Sequence, residues 1–161
     1  MSSEEQYREA AREVLRAAGW VPGRTSGATA EARLVADYGP PHRAARDFLA
    51  EFGGLRLMFA NPRMSEADTD VEVVPPQTTG WVDVWSGAAG EPLYPVGQFA
   101  GGNCVLLSGE SGALYGAFDA ELGRLGANAL EGLGRLVLDP RPLEPRLPVP
   151  PEVLFRREFL E

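Results

Sequence analysis

The chain has no lysine, one histidine and one cysteine among its 161 residues. Each shortage excludes a class of chemistry. Without lysine there is no phosphate-binding loop of the Gly-x-x-x-x-Gly-Lys kind, and Gly97, Gly101 and Gly102 do not make the Gly-x-Gly-x-x-Gly spacing of a dinucleotide fold. A single cysteine leaves no internal disulfide and no multi-cysteine zinc site. No apolar run reaches the roughly 18 residues that a membrane helix needs, and no basic-then-apolar leader opens the chain. A cytoplasmic protein is therefore expected, without a membrane partner.

The scarce reactive side chains are poorly placed for catalysis. Cys104 begins a predicted central strand with no basic neighbour in its region, so it reads as a small buried hydrophobe and not as a thiolate nucleophile. His42 starts a helix beside Arg43 and Arg46, with no serine or cysteine near it in sequence, and reads as a surface residue. Ser108 lies in Ser-Gly-Glu-Ser-Gly, a hairpin connection and not the Gly-x-Ser-x-Gly elbow. The acids do not assemble a calcium loop. No catalytic residue, metal site or cofactor is expected. A small cysteine-dependent hydrolase using Cys104, His42 and an acid is the weakest of the readings.

Charge is unevenly distributed. Between Met64 and Gly123 there is no basic residue, but there are nine acids: Glu66, Asp68, Asp70, Glu72, Asp83, Glu91, Glu110, Asp119 and Glu121. That segment carries −9, so the remaining 15 arginines and 14 acids leave +1 and account for the net −8. A field of one sign repels nucleic acid and anionic lipid and attracts a basic protein. Solvation of exposed strand faces is the plainer account of the same acids.

The segment Leu93 to Phe118 organises the rest. Cys104 to Leu107 and Ala113 to Phe118 flank a five-residue connection in which Gly109 and Gly112 are free to take positive φ, a hairpin signal. Leu93 to Phe99 adds a third strand, with Pro95 at an edge or a bulge. Around this meander, Ser3 to Ala18 has an apolar stripe at helical spacing, capped by Ser2 or Ser3 and ended by Gly19. Trp20 reads as a core-covering ring at a chain reversal. Thr29 to Tyr38 is a second helix burying Leu34, Val35 and Tyr38, and His42 to Phe52 a third. Leu55 to Ala60 and Asp70 to Val74 alternate as strands, with Asp70 and Glu72 facing the same way. Thr78 to Ala89 fits either a helix or a strand; helix is preferred, with Thr78 or Thr79 as its cap and Gly90 as its stop. Glu121 to Leu125 is a last short strand and Ala127 to Leu138 a helix. Six prolines between Asp139 and Pro151 preclude helix there. Val153 to Leu160 is apolar enough to dock back.

Five ordered motifs carry a family resemblance. They are Gly19-Trp20-x-Pro22-Gly23-Arg24, Phe48-Leu49-x-Glu51-Phe52-Gly53-Gly54-Leu55, Leu93-Tyr94-Pro95-Val96-Gly97, Leu106-Leu107 with Gly112-x-Leu114-Tyr115-Gly116, and Leu125-Gly126 before Ala129-Leu130-x-x-Leu133. Over residues 8 to 138 the chain resembles the SUKH superfamily of immunity proteins, and its third family most. The resemblance implies an α+β domain over residues 1–138, with a mixed or antiparallel sheet of about five or six strands and helices on one face. The Pro-rich tail, 139–161, departs from the pattern. It also implies function by binding: such proteins neutralise polymorphic bacterial toxins, often nucleases or deaminases, and their partner surfaces vary.

A toxin acting on nucleic acid presents a basic surface, which carboxylates can occupy in place of phosphates. Asp68, Asp70, Glu72, Asp83, Glu91, Asp119 and Glu121 are the candidate partner-binding acids, with Trp81 or Trp85 as an aromatic anchor if exposed. A scaffold or regulatory module is the alternative, favoured slightly by the Pro-rich tail.

Overall fold

Alternation along one central strand decides the architecture. In β4 (Cys104–Gly109), Leu106 turns to one face of the sheet and Leu107 to the other, and both are fully buried. A strand apolar on both sides needs a cover on each. The computed structural model describes residues 1–25 and 32–150 and shows both covers.

Among the described residues there are five helices and one seven-stranded sheet. The helices are α1 (Ser3–Ala17), α2 (Ala32–Tyr38), α3 (Arg43–Phe52), α4 (Val82–Ala89) and α5 (Ala129–Leu138). The other strands are β1 (Arg56–Ala60), β2 (Asp68–Glu72), β3 (Leu93–Phe99), β5 (Leu114–Phe118), β6 (Glu121–Gly126) and β7 (Arg146–Leu147). The strands lie side by side in chain order, every neighbour antiparallel. This is the expected α+β domain. The seventh strand comes from the Pro-rich segment, where Leu147 pairs with Leu122 and Arg146 with Gly123.

One face carries Leu57, Val71, Val96, Leu106, Leu114 and Leu125, packed beneath α1, α3 and α5. The other carries Leu93, Leu107, Tyr115, Ala117 and Leu122, packed beneath α4 through Trp81, Val82 and Trp85. Helices on a single face were the expectation; α4 adds a cover on the opposite one. The helix starts at Val82 and not at Thr78. Trp81 is its N-cap with no side-chain cap bond, so neither Thr78 nor Thr79 caps it, though Thr79 Oγ1 accepts from Trp81 N–H at 3.1 Å. Gly90 ends it, as expected, in the left-handed conformation at φ 77°.

Local chemistry accounts for the other boundaries. Ser2 caps α1 by accepting from Glu5 N–H, and Asn128 caps α5 by accepting from Glu131 N–H while the Glu131 carboxylate reaches back to Ala127 N–H. Residues 29–31, the start of the predicted second helix, lie outside the described set, as does the predicted apolar strap at 153–160. Within α2, Leu34 is buried but Val35 is 40% exposed, so the expected buried stripe is narrower by one residue. In the β4–β5 hairpin only Gly112 takes positive φ, 95°. Gly109 is needed for room instead, since a Cβ there would lie 2.6 Å from the Glu91 carboxyl carbon. Pro95 sits at a bulge between Pro95 and Gly97.

Two glycines in the sheet leave space for the Pro-rich segment. A Cβ on Gly116 would come within 2.8 Å of Leu143 Cδ2, and one on Gly123 within 2.6 Å of Leu143 Cα. Leu143 fills that slot and is 7% exposed.

The crossing of α1 and α5 is closer still. A Cβ on Gly134 would overlap the carbonyl oxygen of Tyr7. In an exposed helix, Gly→Ala is worth about 1 kcal/mol of stabilisation. Gly134→Ala is expected to do the reverse and lower the stability by about 2–3 kcal/mol, because the backbone of α1 has to move. Gly87→Ala, in α4 with nothing within 4 Å of the added carbon, is expected to stabilise by about 0.5–1 kcal/mol. Urea unfolding midpoints of the two variants check the opposite signs.

Candidate functional site

The seven predicted acids fall into three groups, set by the elements that carry them. Asp68, Asp70 and Glu72 alternate along β2 on one face, as the period predicted. Asp68 is exposed. Asp70 is only 7% exposed, accepting from the Arg56 guanidinium at 3.1 Å and from Gly101 N–H at 3.0 Å. Its charge is spent on joining β1, β2 and the β3–β4 turn. Glu72 lies 3.5 Å from Gln98 Nε2. At the β5–β6 turn, Asp119 is exposed with φ 49°, and Glu121 pairs with Arg146 at 3.3 Å.

Asp83 and Glu91 form the third group, and here the structure adds two acids that the sequence reading left out of the patch. A cleft of about 780 Å³ opens between the α2–α3 junction, the start of α4 and the entry to β3. Asp37, Asp83, Glu91 and Glu110 line it, with Tyr38, Tyr94 and His42 in its wall, and no arginine does. Asp83 sits on the first turn of α4, where a carboxylate suits the helix dipole. Asp83 and Glu110 are exposed, and neither makes an ion pair among the described residues.

Hydrogen bonds between distant segments hold the cleft open. Tyr38 Oη donates to Thr79 C=O at 3.3 Å and accepts from Thr79 N–H at 2.9 Å, tying α2 to the approach to α4. Thr78 Oγ1 donates to the Asp37 carboxylate at 2.8 Å. Tyr94 Oη donates to Gly39 C=O at 3.0 Å. His42 is the N-cap of α3: its Nδ1 accepts from Ala45 N–H at 3.1 Å, so the proton is on Nε2, which donates to Ser108 C=O at 3.0 Å. The expected surface histidine is thus half-buried and structural.

Glu91 is the most constrained of the four acids. Its carboxylate accepts from Tyr115 Oη at 2.6 Å, Ser111 N–H at 2.7 Å and Ser111 Oγ at 2.9 Å. Partial burial pushes its pKa up, but these three bonds and the Arg124 charge together hold it below the ordinary 4.5. Burial, then the Glu91 hydrogen bond and charge, push the Tyr115 phenol up to about 12. Burial likewise raises Tyr38 and Tyr94.

The tryptophans do not serve as exposed anchors. Trp81 and Trp85 stack at 6.2 Å and are 8% and 2% exposed, because α4 needs them to cover the second sheet face. Trp85 Nε1 donates to Asp119 C=O at 2.7 Å. Cys104 and His42 are not brought together: the thiol lines a small pocket with Phe59, Arg63 and Leu136, away from the acidic cleft. Burial pushes the thiol up to about 11, which disfavours the thiolate. Trp20 is in the core at 5% exposure, as expected, with its indole N–H unpartnered among the described residues.

Comparison with known proteins gives one family. The model described as SUKH-3 immunity protein matches residues 7–139. No curated protein and no solved structure matches the chain.

The wall of the cleft makes two predictions. His42→Ala removes the α3 cap and is expected to cost about 1 kcal/mol, with most of it restored in His42→Asn, whose side chain caps the same turn; thermal unfolding distinguishes them. Glu91→Gln is expected to cost about 1–2 kcal/mol at neutral pH, through the loss of charge-assisted bonds. The folded Glu91 pKa lies below its unfolded value, so its contribution is complete above the ordinary carboxylate pKa and disappears as pH falls through the folded one. The stability gap between wild type and Glu91→Gln should therefore narrow below about pH 4.5 in acid-dependent urea titrations.

Proposed function

The chain belongs to the SUKH-3 immunity protein family, and from that premise we propose that it binds and neutralises a cognate bacterial toxin through the acidic cleft. The observation that carries the reading is the cleft itself: four carboxylates from four separate segments converge there and no arginine lines it. Two of them, Asp83 and Glu110, have no structural ion pair to give up among the described residues. Clefts focus a field of one sign, which raises the encounter rate with a basic partner.

The partner this favours is a toxin with a basic surface, such as a nuclease or deaminase, acting in the same cytoplasm. Arginine or lysine side chains that would otherwise meet phosphates enter the cleft instead, and the toxin is blocked by occupancy. Tyr38, half-buried in the wall, gives it apolar area and a hydroxyl together, the combination that interface hot spots use, while Tyr94, 4% exposed, braces it from behind. The protein is proposed to perform no chemistry of its own. The β2 acids contribute a second negative strip, with Asp68 and Glu72 as its accessible members.

The double variant Asp83→Asn/Glu110→Gln tests the reading against the toxin domain encoded in the neighbouring reading frame. Association at low salt is expected to slow by about tenfold and to lose much of its salt dependence, with little change in stability. Glu121→Gln, whose carboxylate is paired with Arg146, is expected to leave association unchanged. Equal rates for wild type and the double variant at low ionic strength would exclude the cleft, even if protection against the toxin persists.

A further inference from the structure

The Pro-rich segment supplies the last strand of the sheet, and its course has a direction. β7 pairs Arg146 with Gly123 and then Leu147 with Leu122, so the chain advances towards the β5–β6 turn at Asp119. Burial alternates along it. Arg146, Pro148 and Pro150 are exposed, whereas Leu147 and Val149 are half-buried and pack against the core that α4 covers. That is the period of an extended strand with one side on the protein. The described part of the segment stops at Pro150.

A groove of about 400 Å³ adjoins that turn, and Asp119 lines it. Val105 and Ala117, paired across β4 and β5, line it from the sheet, and Trp81 and Trp85 from the second cover. The loop at 76–80 completes the wall. After Pro150 the chain reads Pro-Glu-Val-Leu-Phe-Arg. Continued at period two from Leu147 and Val149, the inward positions are Pro151, Val153 and Phe155, while Glu152, Leu154 and Arg156 fall outward. Extended residues advance about 3.3 Å each, which puts Phe155 about 20 Å beyond Val149. From β6 across β5 to β4 is two strand spacings, about 10 Å. The chain is long enough to reach Val105.

We propose that residues 151–155 seat in this groove, with Val153 and Phe155 against its apolar lining, and prop the loop at 76–80 from behind. The chain's own tail is favoured over an outside partner because Val149 already lies on the same core, and Val105 packs against that core too. So short a tether also holds the segment at an effective concentration in the millimolar range, about what short flexible linkers give. The groove and the acidic cleft share Thr79 and Gly80 as a common wall. On the cleft side Thr79 N–H donates to Tyr38 Oη, and Thr79 Oγ1 accepts from Trp81 N–H. A ring seated in the groove keeps that wall from swinging away from the cleft. The seating itself does not depend on the toxin reading.

Thiol labelling of the full chain in a Cys104→Ser background tests this. Val153→Cys keeps Phe155 in place and is expected to react at least about tenfold more slowly than Glu152→Cys, a difference that vanishes in urea. Adding Phe155→Asp is expected to bring the two rates together with an unchanged circular dichroism spectrum. Hydrogen exchange locates the seat. At the Thr79 and Trp81 amides it is expected to speed up by at least about tenfold in Phe155→Asp and to stay as in wild type in Leu154→Asp. Equal labelling at 152 and 153, or exchange that Phe155→Asp leaves unmoved, overturns the proposal. So does protection that grows with protein concentration, which gives the groove to the tail of a second copy. Exchange at these amides that slows only when the toxin domain is added gives the groove to the toxin, and overturns it as well.

Discussion

The middle of the sheet is apolar on both faces, and most of the architecture follows from that. Leu106 and Leu107 on β4, and Leu114 and Tyr115 on β5, point to opposite sides and are all buried. One layer of helices cannot cover both sides. The chain therefore sends α1, α3 and α5 to one face and places α4, inserted between β2 and β3, on the other. Burial of roughly 25 cal/mol per Å² on each face is what makes the second cover worth its ordering cost. The tryptophans that provide it are thereby removed from any contact with a partner.

The cleft is a by-product of the same arrangement. Once α4 is seated, its first turn stands opposite the α2–α3 junction, and the space between them is bridged at its ends instead of filled. Tyr38, Tyr94 and His42 each hold a backbone group across the gap. The wall is built from neutral donors and acceptors, and among the four carboxylates Glu91 alone is described with a nearby arginine charge, that of Arg124, which does not line the cleft. A surface rich in acid is ordinary. An acid-lined concavity braced by tyrosines is better suited to receiving a partner's basic side chains, since the shape restricts which of them fit.

Much of the fold was legible in the sequence because it rests on local periods and caps. The α1 stripe, the Ser2 cap, the alternation of β1 and β2 and the β4–β5 hairpin each use residues close together in the chain. The family motifs added the order of elements. What could not be read was set by tertiary contact. Nothing in the spacing of Asp37, Asp83, Glu91 and Glu110 marks them as neighbours. Asp70 and Glu72 were rightly placed on one face, but the period could not say that Arg56 and Gly101 N–H would draw Asp70 inward. His42 looked like a surface residue because its cap at Ala45 is local, whereas its bond to Ser108 is not. Trp81 and Trp85 were ambiguous for a related reason: their exposure depended on which face α4 would take.

Leu143 gives the Pro-rich segment a place in the core. It lies beyond Asp139, where the family match stops, and yet it fills the slot above Gly116 and Gly123. Gly116 makes room for both Phe99 Cζ, 2.7 Å from an added Cβ, and Leu143, whereas the three atoms nearest to an added Cβ on Gly123 all belong to Leu143. Cutting the chain at Asp139 would remove that side chain and leave the β6 backbone at Gly123 bare.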